Sequence, residues 1–176
     1  MRSDDPPQRR SRTHPGRVPA KGAIQVEVTS EIGRSPLSRV AIGGLARHVL
    51  RAERIPRAHL AIHLVTVSRI ARLHREFVGR HGPTDIVTLE HARSAAGAPV
   101  VGEISIAPAV AAANAAALGI PAREEIARLV VHGVLHALGW DHPETAARTR
   151  SPMWRRQETL LRSARRQGVF ATRHPR

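Results

Sequence analysis

Apolar residues recur along this chain with two different periods. "AIQVEV" (23–28) alternates and is rich in β-branched residues, so it predicts a strand. "AHLAIHLVT" (58–66), "TDIVTLEH" (84–91) and "PVVGEISIA" (99–107) read the same way, the last two joined by the loop "ARSAAGA" as a hairpin or as neighbouring strands. Between them the spacing becomes helical. Leu37, Val40, Ala41, Leu45, Val49 and Leu50 form one stripe over 37–54, weakened locally by Gly43-Gly44. "SRIARLHREFVG" (68–79) predicts a second helix with Ser68 as its N-cap. Residues 108–119 and 121–139 each begin with Pro and end with Gly, the expected asymmetry of helix ends. Glu124 and Glu125 sit in the positive first turn of the latter. A final helix is predicted near 150–166. The pattern is that of an α+β protein: a single mixed β-sheet covered by helices.

Composition narrows the chemistry. The chain of 176 residues is long enough for one domain with a sizeable core, and it has no cysteine. Thiolate metal sites and disulfides are therefore excluded, and a metal must be held by His or carboxylate. No run of ~18 apolar residues predicts a membrane span. The first 22 residues lack the apolar stretch of a secretory signal and fit a transit peptide poorly, which favours a cytoplasmic protein.

The net charge of +14 is concentrated at the ends: +4 over residues 1–22, +8 over 145–176, and only +2 between. Three segments follow: a disordered basic arm (1–22), a central domain (23–161) and a basic tail (162–176). Such ends attract nucleic acid phosphate. A compositional bias that favours Arg and Ala explains them equally well, because Lys21 is the only lysine.

The chemistry concentrates in "HGVLHALGWDH" (132–142). Within the helix predicted over 121–139, Ile126, Leu129, Val130, Gly133, Val134 and Ala137 form the core-facing stripe, and His132 and His136 are offset from it. Four residues advance a helix by ~400°, so the two imidazoles lie within ~40° of each other, one turn apart. Gly139 can leave the helix in a left-handed conformation, which lets His142 swing in as a third ligand. Three imidazoles with one open position describe a catalytic zinc site. Paired histidines at this spacing are commonly surface or packing residues, but the added Gly turn and third His make coincidence a poor explanation. In zinc peptidases with H-E-x-x-H, the general base follows the first ligand; here that residue is Gly133, which cannot accept a proton.

"HGVLHALGWDH" resembles the H-G-x-L-H-x-x-G-x-D-H signature of the YbeY family of bacterial endoribonucleases and ribosomal RNA maturation factors. "GPTDIVTLE" (82–90), "VGEISIAP" (101–108) and "MWRRQETLL" (153–161) are similar to further segments of that family, in the expected order. The resemblance covers about residues 24–161. It implies His132, His136 and His142 as ligands of one Zn2+ per chain. The substrate it implies is single-stranded RNA, in 3′-end maturation of the small-subunit ribosomal RNA and in ribosome quality control, with the small subunit as partner. Thr84, Asp85, Glu103 and Asp141 also match the pattern; strand ends near the metal would bring the first three along the cleft, and an N-cap or turn role fits Thr84 and Asp85 equally well. Asp141 would orient a ligand imidazole or, the favoured role, stabilise the turn. Two departures stand out. Val78 occupies the place of an Arg suited to clamping phosphate, leaving Arg80 or Arg75 to supply the charge, and His74 replaces an Asn.

A metal-bound water is then the candidate nucleophile; no general acid or base is identifiable. Another zinc-dependent hydrolase, or a non-catalytic ribosome-assembly factor with a structural zinc, are the competing readings. Four aromatic residues (Phe77, Trp140, Trp154 and Phe170) are too few for a base-stacking RNA module.

Overall fold

The computed structural model describes residues 24–91, 97–143 and 145–170, so the arm predicted over 1–22 lies outside the described residues. The described residues form four strands: β1 (Ile24–Ser30), β2 (Ala58–Leu64), β3 (Ile86–His91) and β4 (Val100–Ile106). Five α-helices accompany them: α1 (Arg39–Ala52), α2 (Val67–Leu73), α3 (Pro108–Ala117), α4 (Ala122–Ala137) and α5 (Pro152–Arg166). The strands form one mixed sheet in the order β1-β2-β4-β3. β2 runs parallel to both β1 and β4, and β3 is antiparallel to β4 as a hairpin neighbour. The α+β architecture read from the two periods is the one observed. Among the described residues no helix is long and apolar enough to cross a membrane.

Strict alternation gives the sheet two unlike faces. Ala58, Leu60, Ile62 and Leu64 of β2 are buried, and their partners Ile104 and Ile106 on β4 are fully covered. Ile42, Leu45 and Leu50 of α1, Ile126, Val130 and Leu135 of α4, and Met153 and Leu160 of α5 complete this core. On the other face, Thr29 and His63 pair side by side at 2.7 Å, and Glu103 of β4 lies 3.9 Å from His91 of β3.

α4 is more enclosed than a single apolar stripe implies. The predicted stripe is buried, and so are Ala127, Val131, His132 and Leu135 on its other sides, because α1, α3, α5 and the sheet surround it. Periodicity reports one packing face; it cannot report how many neighbours a helix will have.

Two local expectations are corrected. Thr66, not Ser68, caps α2, its hydroxyl accepting from the Arg69 N–H at 3.3 Å. The helix predicted to 79 is α-helical only to Leu73 and continues as a π-helical turn, His74–Val78, closed by Gly79 in the left-handed region (φ 73°). The final helix predicted near 150–166 is α5, which carries Met153, Gln157, Leu160, Leu161 and Ala164 on one buried stripe, and Phe170 beyond it is also buried.

Candidate metal centre

α4 delivers two of the three histidines. His132 and His136 project one turn apart, with His136 in the last turn of the helix. The helix then ends in a Schellman motif. Gly139 adopts φ 86°, its N–H bonds to the His136 carbonyl at 2.8 Å, and the Trp140 N–H bonds to the Leu135 carbonyl at 3.0 Å. Trp140 then packs against the core, which anchors the outgoing strand of chain. Asp141 Oδ1 accepts the His142 backbone N–H at 2.7 Å, so this carboxylate braces the turn that presents His142.

The imidazoles converge through their Nε2 atoms. His132 Nε2 lies 3.1 Å from His136 Nε2 and 3.5 Å from His142 Nε2, and all three ligand atoms fall within 4.8 Å of one another. Two nitrogens bound at ~2.0–2.1 Å to one tetrahedral ion lie roughly 3.3–3.4 Å apart, a value that the two distances from His132 Nε2 bracket. The far sides of the rings set the tautomers. His132 Nδ1–H donates to Gln157 Oε1 at 2.9 Å, and His142 Nδ1–H donates to the Pro143 carbonyl at 3.1 Å. Gln157 is itself oriented, since its Nε2 donates to Glu158 Oε1 at 3.3 Å. His136 is hydrogen-bonded to the Trp140 backbone. Lone pairs therefore face one another across the centre and repel unless a cation lies between them. The cluster can hold a metal ion, and the donor set fits one that accepts neutral imidazole.

Electrostatics agree. Burial is the main reason that the His132 pKa is lowered to about 3, with the neighbouring His136 adding to it. Burial also lowers His136, helped by His142 and opposed by Asp141. Both rings are thus held neutral, the form a metal needs.

A prediction follows for the metal-free protein. His132 is neutral when folded, but the unfolded chain binds its proton below about 6.5. Stability is complete above that pH and is lost as pH falls towards about 3, by at most ~1.4 kcal/mol per pH unit for one proton. Urea midpoints of chelator-treated protein should fall through this window, with a shallower fall for His132→Leu. Identical pH profiles for the two proteins would refute the assignment.

The three histidines open onto a cleft of about 700 Å³, also lined by Arg80, Thr84 and Asp85. Thr84 Oγ1 donates to the Ile86 carbonyl at 3.3 Å, and Asp85 Oδ2 accepts from Asn114 Nδ2 at 3.0 Å, so both residues tie down the start of β3. Val78 and His74 lie on the cleft wall as well, the latter with Nδ1–H donating to the Gly82 carbonyl at 3.0 Å. The π-helical turn and Gly79 carry the chain around so that Arg80 reaches the cleft two residues after Val78. Arg75 is solvent-exposed and lines no part of it. Glu103 is the clear correction: it points to the opposite face of the sheet, beside His91, and cannot serve this cleft.

Residues 28–165 match the protein family described as Endoribonuclease YbeY. The chain belongs to that family. Similar relatives bearing the YbeY endoribonuclease name occur in Micrococcus luteus (36% identical, covering 71% of this chain and 83% of the relative). Others are found in Thermobifida fusca (35%, 69% and 83%) and Frankia casuarinae (33%, 80% and 74%). The solution structure of TM1509 from Thermotoga maritima shares the fold, with a TM-score of 0.55 at 21% identity over 86% of this chain and 100% of that one. The resemblance drawn from the histidine signature is thereby borne out, and with it the placement of the chain among enzymes that hydrolyse RNA.

Two residues of the site are not singled out by the sequence. Gln157, 1% exposed on α5, reaches His132 across 25 positions of sequence. Arg148, in the 3₁₀ turn Ala146–Arg150, lines the YbeY cleft among otherwise undistinguished arginines. Only the packing of α5 against α4 reveals either one.

Proposed function

We propose that this YbeY family member cuts single-stranded RNA with a zinc ion held by His132, His136 and His142. Its substrate in this reading is small-subunit ribosomal RNA, in 3′-end maturation and ribosome quality control in the cytoplasm. The observation that carries the reading is the convergence of three Nε2 atoms with tautomers set for a cation, inside the segment that matches an endoribonuclease family. When bound, zinc supplies Lewis acidity towards water and a phosphoryl oxygen.

The chain's own residues do the positioning. Gln157 keeps the His132 proton on Nδ1, and the Pro143 carbonyl does the same for His142. Arg80 is assigned to an RNA phosphate, replacing the charge that Val78 lacks, and Asp85 to the substrate side of the cleft. The peptidase alternative weakens further here, because a Cβ on Gly133 would meet Ile104, Ile86 and Thr88 of the sheet. A Glu at 133 would start out against the sheet, in contact with core side chains.

The test is cleavage of end-labelled single-stranded RNA and of small-subunit particles by purified protein. Cleavage should disappear on chelation and return with zinc. Arg80→Ala should keep its metal yet cleave about ten- to a hundredfold less, the cost of one charged hydrogen bond to phosphate. No metal-dependent cleavage by wild type on either substrate would favour a non-catalytic assembly factor with a structural metal.

A further inference from the structure

Among the described residues, Arg148 is placed unlike any other arginine. Its backbone belongs to the 3₁₀ turn between the histidine loop and α5, and its side chain lines the same cleft as His132, His136 and His142. The guanidinium carbon lies 5.8 Å from the centre of the Trp154 ring, which holds the side chain from one side. Its Nε is buried and has no hydrogen-bond partner. Among the described residues, no carboxylate pairs with it. Of the acids that line the cleft, Asp85 is engaged with Asn114 and Asp141 with the His142 N–H, while Glu90 is exposed and forms no ion pair with Arg148.

This is an expensive place for a cation. Arg148 lines the same cleft as His132, His136 and His142, so its charge repels a metal ion held by three neutral imidazoles, none of which offsets that ion's charge. Structural arginines are normally paired with carboxylates, as Arg128 is with Glu125 and Glu158 and Arg156 with Glu53. An anion from outside the chain would relieve the repulsion and satisfy a planar fork of donors, which suits phosphate oxygens.

We propose that Arg148 binds a backbone phosphate of the RNA strand, giving the cleft a second cationic grip in addition to Arg80. The assignment rests on the RNA-cleaving reading of the same cleft. Arg148 comes from the segment after the histidine loop and Arg80 from the segment before β3, so the two grips are carried by separate elements. A strand held by both would pass the three histidines between contacts that neither element could make alone.

Arg148→Met keeps the length and apolar packing on Trp154 but removes the charge; Arg148→Lys keeps the charge and loses the planar fork. For cleavage of single-stranded RNA, KM should rise about ten- to a hundredfold in Arg148→Met, with a smaller change in kcat and metal content equal to wild type. Arg148→Lys should recover part of the loss. The slope of log affinity against log salt for a fluorescent RNA oligonucleotide should flatten by roughly 0.7, one phosphate contact on a single strand. An unchanged KM and salt slope in Arg148→Met would overturn the assignment, while the enzyme reading would stand. If Arg148→Met fails to fold, Arg148→Gln is measured in its place, with the same expectations. Should wild type bind the oligonucleotide without cleaving it, the catalytic reading falls and the salt slopes alone decide Arg148. If wild type neither binds nor cleaves RNA, both readings fail.

Discussion

His136→Ala is expected to abolish stable metal binding and metal-dependent RNA cleavage while leaving the fold intact. His136 is only partly buried and lies in the last turn of α4, so its truncation opens no core cavity. It removes one of three converging nitrogens, and a two-imidazole site keeps little hold on an ion. The loss should exceed the ~10–100-fold in metal affinity that follows removal of an outer hydrogen-bond partner. Gln157→Leu provides that internal comparison: it leaves all three ligands but frees His132 to place its proton on Nε2, where it blocks the metal. Metal content after gel filtration and cleavage assays on the same samples measure both effects. His132→Ala is a less clean variant, because His132 is 6% exposed and its removal also leaves buried Gln157 without its partner. Full metal retention in His132→Ala, His136→Ala and His142→Ala alike would dispose of the site.

The second large effect is expected at Gly133. A Cβ there would stand 2.8 Å from Ile104 Cγ2, 3.0 Å from Ile86 Cδ1 and 3.2 Å from Thr88 Oγ1. Ile104 is fully buried, so it has nowhere to retreat. Gly133→Ala should therefore cost ~1–3 kcal/mol through overpacking, despite the higher helix propensity of alanine. The loss would be read as a lower urea midpoint of the metal-free protein. Because His132 adjoins Gly133, lifting α4 from β3 and β4 should also weaken metal binding. A variant as stable as wild type would show that α4 does not sit as close to the sheet as described. The glycine of the signature is thus a packing residue: it lets the ligand helix lie directly on the strands that form the cleft.

These two sites mark where sequence reading succeeds and where it stops. The helix carrying His132 and His136, the Gly139 turn and the return of His142 are all local geometry. They follow from the helical repeat and from the left-handed conformation that glycine permits, so spacing alone determines them. The strand and helix order is legible for the same reason: alternation and the 3.6-residue period are imposed by burying one side of each element. The absence of cysteine restricts the ligand chemistry before any fold is known.

What the sequence leaves open involves residues that meet only after packing. Glu103 matches a family motif, yet it lies between Gly102 and Ile104, whose side of β4 faces α4, so the pleat turns Glu103 to the other face. Knowing that requires knowing which face of the sheet the histidine helix covers. Gln157 and Arg148 reach the site only because α5 folds back along α4, and neither has a spacing relationship to the histidines that a periodicity could express. Phe170 is buried by the same docking of the C-terminal segment. Local dihedral preferences and side-chain periods thus determined the convergence of the three histidines. The outer partner of His132 and the cations that line the cleft were decided by tertiary packing, because their proximity depends on contacts between elements distant in the chain.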